Sequence, residues 1–163
     1  MKRADCIPEK IFTPVQIVQK VTQIRLLSKK IAFTNGVFDI LHQGHIYSLS
    51  QAAKEADYLI VGLNSDASVK RLKGDSRPVN NQDARALLIA SMVMVDAVVI
   101  FEEDTPLELI KVIMPDVLVK GGDYTVEQIA GAKEVKATGG RVVINSLLQG
   151  FSTTTIIEQF KKS

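Results

Sequence analysis

A chain of 163 residues, 46% hydrophobic and 23% charged, has the length of one globular domain and enough apolar content to bury a core. Its net charge of +2 is too small to argue for nucleic acid or an anionic membrane as partner, so any role for its cations must be local. The single cysteine, Cys6, excludes an internal disulfide, the first residues lack the apolar core of a signal peptide, and the longest apolar stretch, 87–101, is broken by Ser91 and Asp96 short of a membrane span.

Thr13-Pro14 reads as an N-cap followed by proline at the first helical position. Val15, Val18, Val21 and Ile24 then recur at near-helical spacing, which predicts a helix within an N-terminal extension over residues 1–29. From residue 30 to 163 a single domain is expected. Five short apolar runs, 31–33, 59–63, 97–101, 117–119 and 142–144, alternate there with helical patterns. The helical stripes are Ile46, Leu49, Ala53 and Ala56; Leu87, Leu88, Ser91 and Val95; Leu107, Ile110 and Met114; and Ile156, Ile157 and Phe160. Strands apolar on both faces belong to a parallel sheet covered on each side. The predicted fold is therefore α/β, a Rossmann-like three-layer α/β/α sandwich with a five-stranded parallel sheet and an extra N-terminal helix. Ligands of such sheets bind beyond the carboxyl ends of the strands, near the point where strand order reverses.

The motifs follow the strands. After the first comes Asn35-Gly36-Val37-Phe38-Asp39-Ile40-Leu41-His42-Gln43-Gly44-His45, where a strand gives way to a helix and both histidines of the chain fall together. Free N–H groups and the positive dipole end of a first helical turn attract an anion. Two imidazoles three positions apart, with Gly44 between them to let a ligand approach, can each donate to phosphate oxygens. Asn64-Ser65-Asp66 follows the second strand. Lys70-Arg71-Leu72-Lys73-Gly74-Asp75-Ser76-Arg77-Pro78 is a cationic stretch punctuated as a turn, and it reads either as a solvated loop or as a mobile flap. Lys120-Gly121-Gly122-Asp123-Tyr124 follows the fourth strand, its glycines letting backbone lie against a base or ribose, Asp123 accepting from hydroxyls and Lys120 projecting a cation. Gly150-Phe151-Ser152-Thr153-Thr154-Thr155 follows the fifth, with more hydroxyls than one helix cap uses.

Gly-Val-Phe-Asp followed by His-Gln-Gly-His resembles the signature of the HxGH nucleotidyltransferases, the cytidylyltransferase-like enzymes, and the later motifs resemble that family in order from about residue 30 to the C-terminus. Within it the likeness is greatest to the adenylyltransferases of heptose 1-phosphate. The resemblance implies transfer of AMP from ATP to a sugar 1-phosphate, D-glycero-D-manno-heptose 1-phosphate above all. The products would be an ADP-sugar for lipopolysaccharide core precursors and pyrophosphate. His42, His45 and Lys73 would be catalytic; Asn35, Gly36, Phe38, Gly44, Gly121, Asp123, Ser152, Thr153 and Thr154 would bind the nucleotide; Arg77 and Lys120 would meet the substrate phosphate. Asp39 would orient a histidine or backbone, with a magnesium role as the alternative, and Arg85 could serve packing, a subunit contact or substrate. The arginine that many cytidylyltransferases carry a few residues before the hydroxyl turn is missing from residues 145–149, so the 70–78 stretch would supply the charge. Mg²⁺ with ATP, a homodimer and a separate sugar kinase upstream complete the implied picture, and the lone Cys6 and the lack of a signal-peptide core or membrane span lead to the expectation of a cytoplasmic location. Two alternatives stay open: a cytidylyltransferase acting on glycerol-3-phosphate or another phospho-alcohol, and a non-catalytic nucleotide-binding module.

Overall fold

Side chains alternate along each strand, and that alternation sorts the apolar residues into two layers. The structure, a computed structural model, describes residues 4–146 together with Leu148, Thr153 and Ile157. In chain order the elements are β1 (Ile11–Phe12), α1 (Pro14–Leu26), β2 (Ile31–Gly36), α2 (Gln43–Ala53), β3 (Tyr58–Asn64), α3 (Asp66–Lys73), α4 (Gln82–Ala90), β4 (Ala97–Phe101), α5 (Leu107–Ile113), β5 (Val117–Gly121), α6 (Ala132–Ala137) and β6 (Arg141–Asn145). Ile31, Phe33, Ile60, Val99 and Leu118 meet α1, α5 and α6 on one face. Ala32, Leu59, Val61, Val98 and Val119 meet α2 and α4 on the other. Three layers result, as the buried apolar runs imply.

The sheet is parallel throughout, in the order β1-β4-β3-β2-β5-β6. It has six strands rather than the five expected: Ile11 and Phe12 pair with Val98 and Val99 at the edge, in a strand too short to show any periodicity in sequence. The chain runs outward from β2 through β3 to β4 and then crosses to the other side of β2, so strand order reverses between β2 and β5. At that point the paired ladder stops at Phe33 opposite Leu118, although the strands continue to Gly36 and Gly121. The crevice that opens beyond them is where an α/β sheet places its ligand.

Thr13 opens α1 with the expected cap, its hydroxyl accepting from the Gln16 amide and the Gln16 side chain accepting from the Thr13 amide. The buried face of α1 differs from the expected one. Ile17, Val21 and Ile24 are inside, whereas Val15 and Val18 are exposed, because the i, i+4, i+7 row that starts at Ile17 is the one facing the sheet. Burying a side chain such as Ile17 contributes about 1.5–3 kcal/mol. In α4 the inner face is likewise Arg85, Ala86, Ile89 and Ala90, and Leu87 and Leu88 point outward. Ile46 is exposed on α2, which rests on the core through Leu49 and Ala52. Met114 ends α5 in a left-handed conformation, φ +48°, and lies outside its apolar stripe of Leu109, Ile110 and Ile113. The stripe over Ile156, Ile157 and Phe160 lies outside the described residues apart from Ile157.

At the amino edge of the sheet, aspartates fasten the strands. Asp116 accepts from the Ile31 amide, Asp96 from the Leu59 amide and Asp57 from the Lys30 amide, each at 2.9 Å. A hollow of about 600 Å³ lies on this edge, but Lys30 on its wall is paired with Asp116 and Lys29 with Asp57. His45 Nδ1 and Asn145 Nδ2, buried with no hydrogen-bond partner among the described residues, are at the opposite edge. No described helix is long and apolar enough to cross a membrane.

Candidate active site

β2 delivers Asn35 and Gly36 to the carboxyl edge, and the chain turns through Val37, Phe38 and Asp39 toward α2. Phe38 adopts a left-handed φ of +47° and lays its ring over Gly36, where a Cβ would come within 2.9 Å of that ring. Glycine is required there by contact, and the contact in turn sets Phe38 edge-on to His45, with ring centroids 5.2 Å apart. His42 is the N-cap residue of α2, its carbonyl accepting from the His45 amide at 2.9 Å. The two imidazoles stack, centroids 3.8 Å apart and planes inclined by 22°.

Burial lowers the basicity of both rings. For His45 burial, and after it the neighbouring His42, push the pKa down to about 4; for His42 burial gives the same direction. Near neutral pH the rings are thus uncharged donors, and His45 Nδ1 is buried with no hydrogen-bond partner among the described residues. Such an arrangement accepts an anion readily, since a phosphate oxygen supplies both the missing partner and the charge that favours a second proton.

Two hollows meet at this edge. One, of about 340 Å³, is lined by Asn35, Gly36, Phe38, His42, Gly44, His45, Gly121 and Thr153, with Thr34, Ser48 and Tyr124 among its other walls. The second, of about 350 Å³, is lined by Asn64, Leu72, Lys73, Asp104, Thr105 and Gln128. Asn35, Gly36, Val37, Lys120 and Tyr124 belong to both. Lys120 donates to Asn35 Oδ1 at 3.1 Å, lies 5.9 Å from the centre of the Tyr124 ring, and forms no ion pair among the described residues. Burial lowers its pKa.

The second hollow owes its shape to the fastening of α3. Ser65 caps the helix through the Ser68 amide at 3.1 Å; the Ser68 hydroxyl accepts from Asn64 at 3.0 Å and donates to the Glu103 carbonyl at 2.9 Å. Arg71 meets Asp104 at 2.8 Å and also donates to the Glu102 carbonyl. Lys73, the last residue of the helix, is thereby held at the wall, and Gly74 follows with a φ of +91° that turns the chain away.

The loop beyond departs from the flap expected. Arg77 Nε donates to Asp39 Oδ2 at 2.6 Å, its side chain only 16% exposed, and it lines neither hollow. Asp39 also accepts from the Val79 amide at 2.8 Å and the Asn80 amide at 3.0 Å. Burial alone would raise this carboxyl, but the Asn80 and Val79 amides and the Arg77 guanidinium outweigh it and hold the pKa below the usual range. A carboxylate so committed to the 77–80 turn is unsuited to hold a metal. Among the described residues no cluster of three histidine, cysteine or acidic side chains offers another metal site.

Arg85 is the residue whose place the sequence leaves open and the structure defines. Fully buried, it donates to the Asn80 carbonyl at 3.0 Å, to the Val37 carbonyl at 2.6 Å and to Asp66 Oδ1 at 2.7 Å. It thus ties together the loop after β2, the start of α3 and the end of the Asp39-clamped turn. Buried in this way, it is neither a subunit contact nor a substrate ligand. One signal was available: a cation in the first turns of a helix, against the dipole, on the same face as Ile89. Asp123 also departs from expectation, being exposed and outside both hollows. Thr153 lines the histidine hollow, donating to the Ile40 carbonyl at 3.3 Å, while Ser152 and Thr154 lie outside the described residues.

Residues 33–159 match the cytidylyltransferase-like family. The bifunctional protein HldE of Nitrobacter winogradskyi is 56% identical over 141 residues, 86% of this chain and 29% of that protein. HldE of Acidiphilium cryptum is 48% identical over 161 residues, 99% of this chain and 33% of that one. The chain thus spans about a third of the length of these curated relatives. Among solved structures, the lipopolysaccharide core biosynthesis protein from Thermoplasma volcanium has a TM-score of 0.59 at 28% identity, covering 74% of this chain and 97% of its own. The pantoate-beta-alanine ligase from Francisella tularensis has a TM-score of 0.54 at 17% identity, covering 88% and 75%, a likeness of fold alone.

Proposed function

Because the chain belongs to the cytidylyltransferase-like family of nucleotidyltransferases, we propose that its cleft transfers AMP from ATP to a sugar 1-phosphate, D-glycero-D-manno-heptose 1-phosphate being the expected acceptor. The products are an ADP-sugar for lipopolysaccharide core precursor synthesis and pyrophosphate. One observation carries this reading: two hollows sharing a wall, one backed by a helix N-terminus and two neutral imidazoles, the other by Lys73. Two phosphate-bearing reactants fit that division, the triphosphate on the histidine side and the acceptor on the other. The relatives named HldE and the lipopolysaccharide core protein support the choice of pathway.

In the proposed reaction an oxygen of the acceptor phosphate forms a bond to the α-phosphorus as the bond from that phosphorus to the bridging oxygen breaks, and pyrophosphate leaves. With a second pKa of about 6, the acceptor is mostly dianionic at neutral pH, so no proton has to be removed. The protein's task is positioning and electrostatic stabilisation. His42, His45 and the first-turn amides of α2 donate to the phosphates, with Thr153 beside them; Lys73 and Lys120 offset charge at the acceptor side. With Asp39 committed to Arg77, a divalent cation, Mg²⁺ in this proposal, would be held by the triphosphate rather than by a cage of carboxylates. A homodimer, a cytoplasmic location and a separate kinase activity that supplies the acceptor belong to the same proposal.

Pyrophosphate release, measured with ATP, CTP, GTP and UTP crossed with heptose, hexose and glycerol phosphates, tests it. Turnover greatest with ATP and the heptose 1-phosphate is expected. Turnover confined to CTP and glycerol-3-phosphate would make the protein a cytidylyltransferase of phospho-alcohols, and binding without release would make it a nucleotide-binding module.

A further inference from the structure

Resting on that reaction, we propose that Lys120 contacts both reactants at once, its ammonium bridging the acceptor phosphate and the α-phosphate of the nucleotide, and that Asn35 is the positioning residue that holds it there. Lys120 comes from β5 and Asn35 from β2, the two strands between which sheet order reverses, and both residues lie beyond the last paired residues, Phe33 and Leu118. Each lines both hollows, whereas Lys73 lines only one and the histidines only the other. The bond must form where the hollows meet, and of the two lysines on their walls Lys120 alone stands there.

The chemistry of the pair suits that place. An ammonium has three N–H donors, and among the described residues one hydrogen bond takes one of them, to Asn35 Oδ1 at 3.1 Å. The others are available to a phosphate oxygen on either side. Attack brings two anions together, so a cation between them counters their repulsion and meets the charge that spreads over the equatorial oxygens of the transferring group. An amide is the fitting partner for such a cation. Its oxygen accepts and aims the ammonium, while a carboxylate in the same place would neutralise it.

Steady-state kinetics with both substrates varied, using ATP and the best acceptor phosphate, tests the assignment. Lys120→Met is expected to lower kcat about 10²-fold or more with a nearly unchanged thermal midpoint, and Lys120→Arg to recover at least about tenfold of that loss. Asn35→Asp is expected to lower kcat about tenfold or more with both KM values nearly unchanged, and the double variant Asn35→Asp/Lys120→Met to be no slower than Lys120→Met alone, because both act through one cation. Normal kcat in Lys120→Met with a raised KM for a single reactant would overturn the bridge, as would losses that multiply in full in the double variant. Should Lys120→Met fail to fold, full activity in Asn35→Asp would overturn it equally. An inactive wild type with every substrate pair removes the underlying reaction as well; an active wild type indifferent to these changes removes only the bridge.

Discussion

The rings of His42 and His45 are stacked 3.8 Å apart at the start of α2, where burial lowers the pKa of both and His42 adds to the effect on His45. In the proposed reaction they act as donors to phosphate rather than as supports of the fold. His42→Ala and His45→Ala are each expected to lower kcat about 10²-fold or more, the cost of losing a preorganised donor, with a small change in thermal midpoint. Preserved turnover with a large loss of stability would make them structural.

His45 also gives the ligand-free protein a distinctive pH response. Its pKa is about 4 in the fold against 6.5 in a model peptide, so between those values the unfolded chain binds more protons. Stability from this source is complete above 6.5 and declines as pH falls toward 4. Thermal unfolding across that window should show the decline, and His45→Asn should flatten it. If the triphosphate binds beside His45 as proposed, it should raise that pKa, and calorimetry in buffers of different ionisation enthalpy at about pH 5.5 should record proton uptake that vanishes above about pH 8.

Lys73 and Arg77, four residues apart in one basic stretch, should behave differently. Lys73 is exposed on the wall of a hollow, and Lys73→Ala should slow turnover or raise KM without altering unfolding. Arg77 is paired with Asp39, and Arg77→Ala should cost about 1.5–3 kcal/mol, the worth of a charged hydrogen bond, because the amides of Val79 and Asn80 still hold the carboxylate. Urea unfolding beside steady-state kinetics separates the two outcomes; equal kinetic losses with unchanged stability would return Arg77 to the substrate side.

Arg85→Leu should be more severe, about 3–5 kcal/mol, because it removes a fully buried cation and leaves Asp66 and the Asn80 and Val37 carbonyls without it together. Faster amide exchange at Val79 and Asn80 should accompany it, as Arg85 holds the Asn80 carbonyl. A loss below about 1 kcal/mol would contradict the role given to this side chain.

What could be read without coordinates follows from the range of the interactions involved. Each of the five expected strands is a local apolar run, and each was legible; β1 has only Ile11 and Phe12, and nothing in two residues distinguishes a strand from a loop. The inner faces of α1 and α4 lie about one or two positions from those the apolar spacing suggests, because Val15, Val18, Leu87 and Leu88 are apolar and exposed and the stripe has more than one solution. The histidine junction stood out because strand, turn, glycine and helix start are neighbours in sequence. Lys120 and Tyr124 share one motif, yet their meeting with Asn35 depends on the β2–β5 adjacency. The Arg77–Asp39 pair and the Arg85 contacts span 38 to 48 residues at their longest, and no local pattern encodes them.

Transfer in one step, with the protein supplying position and charge but no covalent intermediate, is the centre of this account, and the stereochemistry at the α-phosphorus tests it most directly. With ATP made chiral at that phosphorus and the acceptor sugar phosphate, a single in-line displacement inverts the centre, and no labelled adenylyl-enzyme survives quenching. Inversion is the expected result. Retention of configuration, or an adenylyl group trapped on His42 or His45, would contradict the account and make one of these imidazoles a nucleophile.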